Sequence, residues 1–489
     1  MEFDYENENE TYNTRSHKER CKAIYDSLLS TAHTDKTPMI VRLDSDTLQW
    51  NEQDDEVQFA EFSVLTKEIY DYDRENILRE FSQTVPDWTN TYRPFFVSFT
   101  VEINRENKDF LESLADNWYI ATFTPVDNQT SDNDRPNQSL IANLVFSASP
   151  VRLKGGRLTI YDSTPKWNGI PINDLETTDY DPTHFIVHTD TDIQAALTSA
   201  WENDIPKQID FYNVGKANAD YIRGYDNHRI LFDVGYESIR GITFNANSST
   251  YPKASNSLRQ LKPNIVIISH WDTDHYIGCA YADSALFRVK WIAPALSSKP
   301  SLNSFRLAAY LMHLKNLLLV NRSIRCARNI VTINCKSDYK LKLNMGGGTE
   351  RLTTINIKGL YLEFTHKDTT HTLLAADVPY KCMGTIANID DLRLLHVPHH
   401  CSRLYSLDLL TRSTLSHRGE SYAIITTRLD DTLSYDENPD HKDALDYLFG
   451  HDNVWHTVYS PIHHDSAELL SIQAEYDRTG NVWIHDRHI

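Results

Sequence analysis

The chain has 489 residues, with 48 lysine and arginine residues against 68 aspartate and glutamate residues, which gives a net charge of −20 when histidine is neutral. This length exceeds that of one ordinary domain and predicts two or three domains. With 40% hydrophobic and 24% charged residues, the composition is typical of a globular protein. It excludes a collagen-like, disulfide-stapled or largely disordered chain.

The cysteines and the apolar stretches indicate the cellular compartment of the protein. None of the six cysteines belongs to a CxxC pair, which argues against a zinc knuckle and favours a reducing compartment. Residues 1–20 are polar and acidic, so we expect no secretory signal. The longest apolar stretch, 307–320, contains His313 and Lys315 and is too short to cross a bilayer. We therefore predict a cytoplasmic protein with no membrane role.

The N-terminal part of the chain carries no recognisable chemistry. Residues 1–35 are acidic and poor in aliphatic side chains, and we predict a loose arm. Residues 36–205 are predicted to form an α+β domain of unknown role, because β-like runs at 94–101 and 118–123 accompany helical patches at 64–81 and 107–115. This domain is also where we would expect a protein partner to bind.

From residue 206 to 489 the pattern changes to short apolar runs that each end in histidine, aspartate or glycine. Such runs indicate buried strands of an α/β or sandwich arrangement, with functional side chains in the loops at the strand ends. The runs are 209–214, 229–234, 264–269, 372–376, 394–397 and 422–426.

The strongest local signal directly follows the run at 264–269. Four side chains that can bind metal ions stand within six residues at a predicted strand-to-helix junction, where the backbone turn allows them to converge on one or two cations. The alternative is an accidental cluster on the surface. The four residues are His270, Asp272, Asp274 and His275.

Two later strand ends supply counterparts to this cluster. Asp377 follows the run at 372–376, and His399 and His400 follow the run at 394–397. Either alone would more often be a hydrogen-bonded polar residue than a ligand. Together they provide a carboxylate that can bridge two cations and an imidazole that can complete a second coordination sphere.

These motifs resemble the metallo-β-lactamase superfamily, particularly the hydrolase domain of ComEC-type DNA-uptake competence proteins. The resemblance rests on HxDxDH at 270–275, LLAAD at 373–377 and VPHHCS at 397–402, and extends to the segments 211–219, 231–235 and 475–482. It covers about residues 206–489 in the expected order and includes nothing of the first 200 residues.

The resemblance implies an α/β fold, the four-layer αβ/βα sandwich of that superfamily, with a dinuclear metal site at one edge of two facing sheets. His270 and Asp272 would hold one cation, and Asp274 and His275 the other. Asp377 would bridge the two. Two further roles follow from the resemblance: His399, or alternatively His400, completes the second site, and Asp233 orients ligands from behind them.

The sequence departs from the superfamily pattern at the first metal position. Asp272 stands where the superfamily has histidine. A carboxylate oxygen is a harder ligand than an imidazole nitrogen, which shifts the metal preference of this position from Zn toward Mn or Mg. A separate histidine of the superfamily is also missing before the bridging aspartate; His366 and His371 lie in that interval as candidates. We predict two divalent metal ions of Mn, Zn or Mg.

The resemblance also implies a mechanism in which a hydroxide shared by the two metals attacks the substrate. Asp274 is the predicted residue to orient this nucleophile and take its proton. His441 would either protonate the leaving group or begin a helix as a structural residue. Ser402 and Arg403 could contact phosphate; a surface loop is the alternative for the arginine.

A basic segment at 286–342 predicts the substrate class. It has eleven basic residues and one acidic residue, Asp338, so its net charge is +10 in an otherwise acidic chain. Such a segment could attract a nucleic acid or nucleotide, although a solvated helix face is the usual explanation. We predict a DNA or RNA phosphodiesterase; the alternatives are a nucleotide phosphodiesterase, cyclic or linear, and a metal-stabilised scaffold without turnover.

Overall fold

The fold is described from a computed structural model. The residues that the structure describes are 12–29, 39–44, 58–78, 94–103, 105–114, 117–125, 139–147, 151–163, 166–167, 169–215, 217–236, 258–280, 282–322, 326–348, 358–383, 389–401, 415, 420–426, 439–457 and 469–488.

Eight α-helices and 24 β-strands occur in this described part of the chain. The helices are α1 (Tyr12–Leu29), α2 (Lys67–Asn76), α3 (Lys108–Leu114), α4 (Ile172–Asp174), α5 (Asp190–Trp201), α6 (Thr273–Tyr276), α7 (Leu302–His313) and α8 (Pro439–Phe449). The strands are β1 (Met39–Leu43), β2 (Gln58–Leu65), β3 (Phe96–Ile103), β4 (Trp118–Pro125), β5 (Ser139–Ser147), β6 (Val151–Ser163), β7 (Lys166–Trp167), β8 (Ile170–Pro171), β9 (Val187–His188), β10 (Pro206–Tyr212), β11 (Asp220–Gly224), β12 (Arg229–Phe232), β13 (Ile265–Ile267), β14 (Lys290–Pro294), β15 (Leu317–Val320), β16 (Arg328–Asn334), β17 (Tyr339–Met345), β18 (Leu360–His366), β19 (Thr369–Leu374), β20 (Leu394–His396), β21 (Tyr422–Ile425), β22 (Val454–His456), β23 (Leu469–Tyr476) and β24 (Val482–His488).

The described residues divide into two compact units. The first lies within Met1–Leu48, Gln58–His184 and Ser297–Lys315, and the second within Phe185–Leu296 and Asn316–Ile489. None of the described helices combines the length and the apolar character that crossing a membrane requires.

The first unit contains a closed barrel of six strands in the order β1-β2-β3-β5-β6-β4. The β-like runs and helical patches predicted here correspond to β3, β4, α2 and α3. The predicted loose arm is wrong for residues 12–29, which form α1. Its Cys21, Ile24 and Leu28 are buried at helical spacing, so the helix has an apolar face despite its acidic surroundings.

Helix α7 belongs to the first unit, although the prediction assigned its residues to the C-terminal domain. Buried polar contacts explain the difference. Asn303 Oδ1 accepts a hydrogen bond from the backbone N–H of Val97 in β3 (2.9 Å), and Arg306 Nε donates to Asp73 Oδ2 in α2 (2.9 Å). These partners lie more than 200 residues earlier in the sequence, so local sequence could not reveal them.

The second unit contains two large sheets, which agrees with the prediction of an α/β architecture in this part of the chain. The first sheet has nine strands in the order β24-β23-β10-β11-β12-β13-β14-β15-β9, and the second has seven in the order β16-β17-β18-β19-β20-β21-β22. All six predicted apolar runs lie at strands of these sheets, namely β10, β12, β13, β19, β20 and β21.

One hydrophobic core is shared by the two sheets. Strand residues alternate between faces, so that Leu394 and Ile424 join this core while Leu395 and Ala423 pack on the opposite face with α8. Helix α5 contributes Ile193, Leu197 and Trp201 to the shared core, which explains why the second unit begins before the predicted boundary at 206. Other members of the shared core are Ile209, Phe232, Ile267, Leu343 and Leu374.

Candidate metal centre

The predicted ligands follow the carboxyl ends of parallel strands. In the first sheet β12 and β13 are parallel, and in the second sheet β19, β20 and β21 are parallel. Side chains after the ends of neighbouring parallel strands are brought to one edge, which is where α/β proteins bind ligands. Asp233 follows β12, the HxDxDH loop follows β13, Asp377 follows β19, and His399 and His400 follow β20.

The carboxylate of Asp377 lies at the middle of the cluster. Its Oδ2 atom is 3.3 Å from His275 Nε2, 3.8 Å from His270 Nε2 and 3.7 Å from His399 Nε2. Its Oδ1 atom is 3.9 Å from His400 Nε2. Residues from the two sheets, which are distant in sequence, therefore converge on one buried carboxylate.

Two sets of side chains in this cluster have the spacing of metal ligands. His270, His275 and Asp377 each offer a ligand atom within 4.8 Å of the others, and so do Asp274, His275 and His400. All five residues are buried. Asp272 stands beside the first set, with its Oδ2 atom 3.1 Å from His270 Nε2.

Asp233 orients two of the imidazoles. Its Oδ2 atom accepts hydrogen bonds from His275 Nδ1 (2.8 Å) and from the hydroxyl of Ser269 (2.8 Å). Because the Ser269 hydrogen points to Asp233, the Ser269 oxygen can accept from His270 Nδ1, which is 2.9 Å away. In the neutral rings, hydrogen on both Nδ1 atoms leaves the Nε2 lone pairs on the side of Asp377, the arrangement found behind metal-bound histidines.

Three carboxylates around His275 favour a positive charge at its Nε2 atom, which faces Asp377. Its Nε2 atom is buried and has no hydrogen-bond partner among the residues that the structure describes. Burial opposes protonation, but the carboxylates of Asp377, Asp233 and Asp274 outweigh it and raise the pKa of His275 well above its usual range. The mixture of imidazole and carboxylate donors fits a divalent cation of the Zn or Mn type.

Asp377 shows the reciprocal effect. Burial alone would raise its pKa, but the neighbouring imidazoles of His275 and His399 reverse the shift and hold the pKa of Asp377 well below its usual range. The carboxylate is therefore ionised when the cluster assembles, which a metal ligand requires.

His399 and His400 differ in burial. The side chain of His400 is 2% exposed, and its Nδ1 atom is 2.7 Å from Thr426 Oγ1. The side chain of His399 is 32% exposed. The structure thus separates two histidines that the sequence could not rank: one is held inside the cluster and the other borders solvent.

The backbone around the cluster is strained. Ala376, immediately before Asp377, has φ of 47°, and His399, His400 and Cys401 have φ between 49° and 66°. Left-handed conformations in residues other than glycine are uncommon and concentrate at functional sites. Cys401 thus adopts a conformation that glycine would favour.

A close approach of two loops holds the HxDxDH segment in place. A Cβ atom on Gly235 would lie 2.3 Å from the carbonyl oxygen of Asp274 and 2.4 Å from that of Asn218. The backbone N–H of Val234 donates to the carbonyl of His275 (2.8 Å). The two loops therefore leave no room for a side chain at position 235.

The other predicted site residues belong to neither ligand group or lie outside the described part of the chain. His441 is fully buried in the first turn of α8, and its Nε2 atom is 3.2 Å from the Tyr380 hydroxyl. Ser402 and Arg403 lie outside the described residues. His371 donates from Nε2 to the carbonyl of Gly480 (2.6 Å), and neither His371 nor His366 belongs to a ligand cluster among the described residues.

The basic segment at 286–342 has lost much of its charge to ion pairs. Among the described residues of the segment, at least six basic side chains pair with acidic residues from other parts of the chain, so less of its positive charge is unpaired than the composition suggests. The pairs are Lys299–Glu176, Arg306–Asp73, Arg328–Asp190, Lys336–Asp226, Lys340–Asp368 and Lys342–Glu363.

Three residues at the site had no role in the sequence prediction. Ser269 precedes the HxDxDH motif directly, and Thr426 follows β21 just as Asp377 follows β19, so their positions at strand ends were a usable signal. Asn218 lies in the segment 211–219, which gave no residue-level signal, and its contact with Asp377 (Nδ2 to Oδ1, 3.4 Å) spans 159 residues.

Comparisons with known proteins add little. No protein-family model matches the chain, and no curated protein matches it. Among solved structures, the chain is similar to a mutant of the CmlA beta-hydroxylase, with 12% sequence identity, a TM-score of 0.25, and coverage of 62% of this chain and 56% of that chain. A likeness at this TM-score is too weak to assign a family or an activity.

Proposed function

We propose that this chain is a metal-dependent hydrolase with a metallo-β-lactamase-like arrangement, and that it cleaves phosphodiesters of DNA or RNA. The observation that carries the proposal is the convergence of His270, His275 and His400 on the buried carboxylate of Asp377. Asp274 lies within ligand spacing of His275 and His400. Buried charges persist in proteins when they are paired or hold metal ions, and this cluster has the donor set for two cations.

The proposed ligands form two overlapping groups. Asp274, His275 and His400 would hold one cation, and His270 and Asp272 the other, with Asp377 shared between them. The second group has fewer imidazoles, so we expect it to bind its metal more weakly and to accept Mn or Mg more readily than Zn.

Divalent cations at such a site would supply a nucleophile at neutral pH and polarise the scissile phosphate. The residues of the chain would position the reactants. Asp274, with 7% of its surface exposed, can accept a proton from a water molecule at the cluster. His399 is the imidazole of the cluster that borders solvent, which makes it the candidate to meet the substrate. His441 is buried against Tyr380, which favours a structural role.

Phosphodiesters are proposed as substrates because of the resemblance to the ComEC-type hydrolase domain. The electrostatic argument from the basic segment is weaker than its composition suggested, because six of its charges are paired. Arg288, Lys290 and Lys315 of this segment are exposed and would contribute to the attraction of a polyanion.

A cleavage assay on the full chain tests the function. The purified protein is incubated with Mn, Zn or Mg and labelled single-stranded DNA, double-stranded DNA, RNA or cyclic dinucleotides, beside Asp274→Ala/His275→Ala and a control His366→Ala variant outside the cluster. We expect cleavage of a nucleic acid that the double variant loses and the control keeps. Cleavage of cyclic dinucleotides alone would indicate a nucleotide phosphodiesterase. Metal binding without turnover of any substrate would contradict the proposal and favour a scaffold.

A further inference from the structure

A chain of hydrogen bonds joins the two proposed ligands His400 and Asp377 from behind. His400 Nδ1 lies 2.7 Å from Thr426 Oγ1, and the Thr426 hydroxyl donates to Asn218 Oδ1 (3.0 Å). Asn218 Nδ2 in turn donates to Asp377 Oδ1 (3.4 Å). All four residues are at most 3% exposed, so bulk water does not compete for these bonds.

The direction of each bond in this chain is determined by chemistry. Asn218 Nδ2 donates to Asp377 Oδ1 and Asn218 Oδ1 accepts from the Thr426 hydroxyl, so the NH₂ group of Asn218 faces Asp377 and its carbonyl faces Thr426. The single hydrogen of the Thr426 hydroxyl then goes to Asn218. The Thr426 oxygen can therefore only accept from His400, which must carry its hydrogen on Nδ1.

We propose that Thr426 and Asn218 are positioning residues that hold His400 in one tautomer and orientation, with its Nε2 lone pair directed to the cation site, and couple it to Asp377. This inference rests on the proposed function, because it assumes that a cation binds there. Neither residue would touch the cation or the substrate. Partners of this kind behind metal ligands commonly change metal affinity by about 10- to 100-fold.

The strand arrangement explains why these two residues can do this. Thr426 follows β21, which is parallel to β20, the strand that precedes His400. Asn218 precedes β11, which is antiparallel to β12 of the other sheet, so it stands at the same edge as the ends of β12 and β13. The hydrogen-bond chain therefore links the metal-ligand loops of the second sheet to the first sheet.

The test compares Thr426→Val with Thr426→Ser. Valine has nearly the shape of threonine but lacks the hydroxyl, whereas serine keeps it. Binding of Zn²⁺ and Mn²⁺ to the full chain is measured by calorimetry and elemental analysis, and the absorption spectrum of the Co²⁺ form reports the ligand geometry. We expect Thr426→Val to weaken one of two binding events by about 10- to 100-fold and to alter the Co²⁺ spectrum. Thr426→Ser should restore both.

One further background and one replacement variant make the outcome decisive. In a His400→Ala chain, Thr426→Val should cause no further loss of metal affinity, because the ligand that Thr426 positions is absent. If Thr426→Val does not fold by circular dichroism, Asn218→Ala replaces it with the same expected weakening. Wild-type affinity in a folded Thr426→Val chain overturns this inference alone, whereas a wild-type chain that binds no metal overturns the proposed function.

Discussion

His399 and His400 are neighbours in sequence but have different surroundings. His400 is buried, with Nδ1 hydrogen-bonded to Thr426, while His399 borders solvent and has its Nε2 atom 3.7 Å from Asp377 Oδ2. A buried imidazole with a hydrogen bond behind it is the better metal ligand, because its orientation is already determined. We therefore assign the ligand role to His400 and the substrate-facing role to His399.

This difference predicts unequal effects of alanine substitution. His400→Ala should lower Zn²⁺ affinity by about 100-fold or more, because it removes a ligand, whereas His399→Ala should change it by less than about 10-fold. Both affinities can be measured by competition with a chromogenic chelator. Equal losses in the two variants, or a larger loss in His399→Ala, would reverse the assignment.

A second residue-scale prediction concerns His371 and pH. Burial lowers the pKa of His371 from an ordinary value of 6.5 to about 4, while its hydrogen bond to Gly480 opposes the shift. Between these two values the unfolded chain binds the proton more readily than the folded chain. The contribution of His371 to stability is therefore complete above pH 6.5 and is lost as the pH falls toward 4.

Denaturant unfolding of the wild type and a His371→Gln variant at pH 4 to 7.5 measures this effect. Glutamine does not titrate, so the stability advantage of histidine over glutamine should shrink by about 2–3 kcal/mol as the pH falls from 7 to 4. A difference between the two chains that stays constant with pH would show that His371 titrates normally in the folded protein.

At the scale of elements, the HxDxDH loop depends on its packing against the loop after β12. Gly235→Ala would place a methyl group within 2.4 Å of two carbonyl oxygens, those of Asp274 and Asn218. Overpacking of this kind destabilises a protein by about 1–3 kcal/mol, and here the displaced backbone carries Asp274. We expect both lower thermal stability and lower metal content.

Gly450→Ala is the matched control for this substitution. Gly450 has φ of 87°, so alanine there introduces strain, but the nearest atom to its Cβ would be Asn453 Nδ2 at 3.8 Å. We expect a loss of about 1–2 kcal/mol with unchanged metal content. Metal content that falls equally in both variants would mean that the Gly235 effect is general instability rather than displacement of the site.

Helix α7 shows that a basic residue of the predicted substrate surface has a structural role. Arg306 is fully buried, pairs with Asp73 and lies over the ring of Phe95 at 5.1 Å. Removing one partner of a buried pair typically destabilises by about 3–5 kcal/mol, because the other charge remains buried. Arg306→Ala should therefore unfold at much lower denaturant concentration than the wild type.

The exposed Lys290 provides the contrasting variant. Lys290→Ala should change stability by less than about 0.5 kcal/mol, as surface substitutions usually do. If a nucleic acid binds along the basic segment, Lys290→Ala should weaken that binding and reduce its salt dependence. Similar stability losses in Lys290→Ala and Arg306→Ala would argue against the buried role of Arg306.

At the scale of the whole molecule, the predictable features were those with local signals. Asp377 and the His399–His400 pair each follow an apolar run, and the strands stand where those runs are. Partners brought together over long separations were not predictable: Arg306 and Asp73 are 233 residues apart, and Thr426 and Asn218 are 208 apart. Helix α1 was missed because acidic residues around it obscured the spacing of its buried side chains.

The domain boundaries show the same limit. Helix α5 joins the second unit through apolar contacts, and α7 joins the first through polar contacts, although both lie on the other side of the predicted boundary. A shift in composition marks where an element begins, but the unit that an element joins depends on surfaces made by distant strands. A protein partner for the first unit stays a prediction.

The most direct test of the central claim is the metal content of the full chain after equilibrium dialysis against Zn²⁺ or Mn²⁺, compared with Asp377→Asn. Asparagine keeps the shape of aspartate but cannot neutralise two cations. The account predicts about two ions per chain in the wild type and a loss of both in the folded variant. A wild-type chain without bound metal, or an Asp377→Asn chain with the same content, would contradict it.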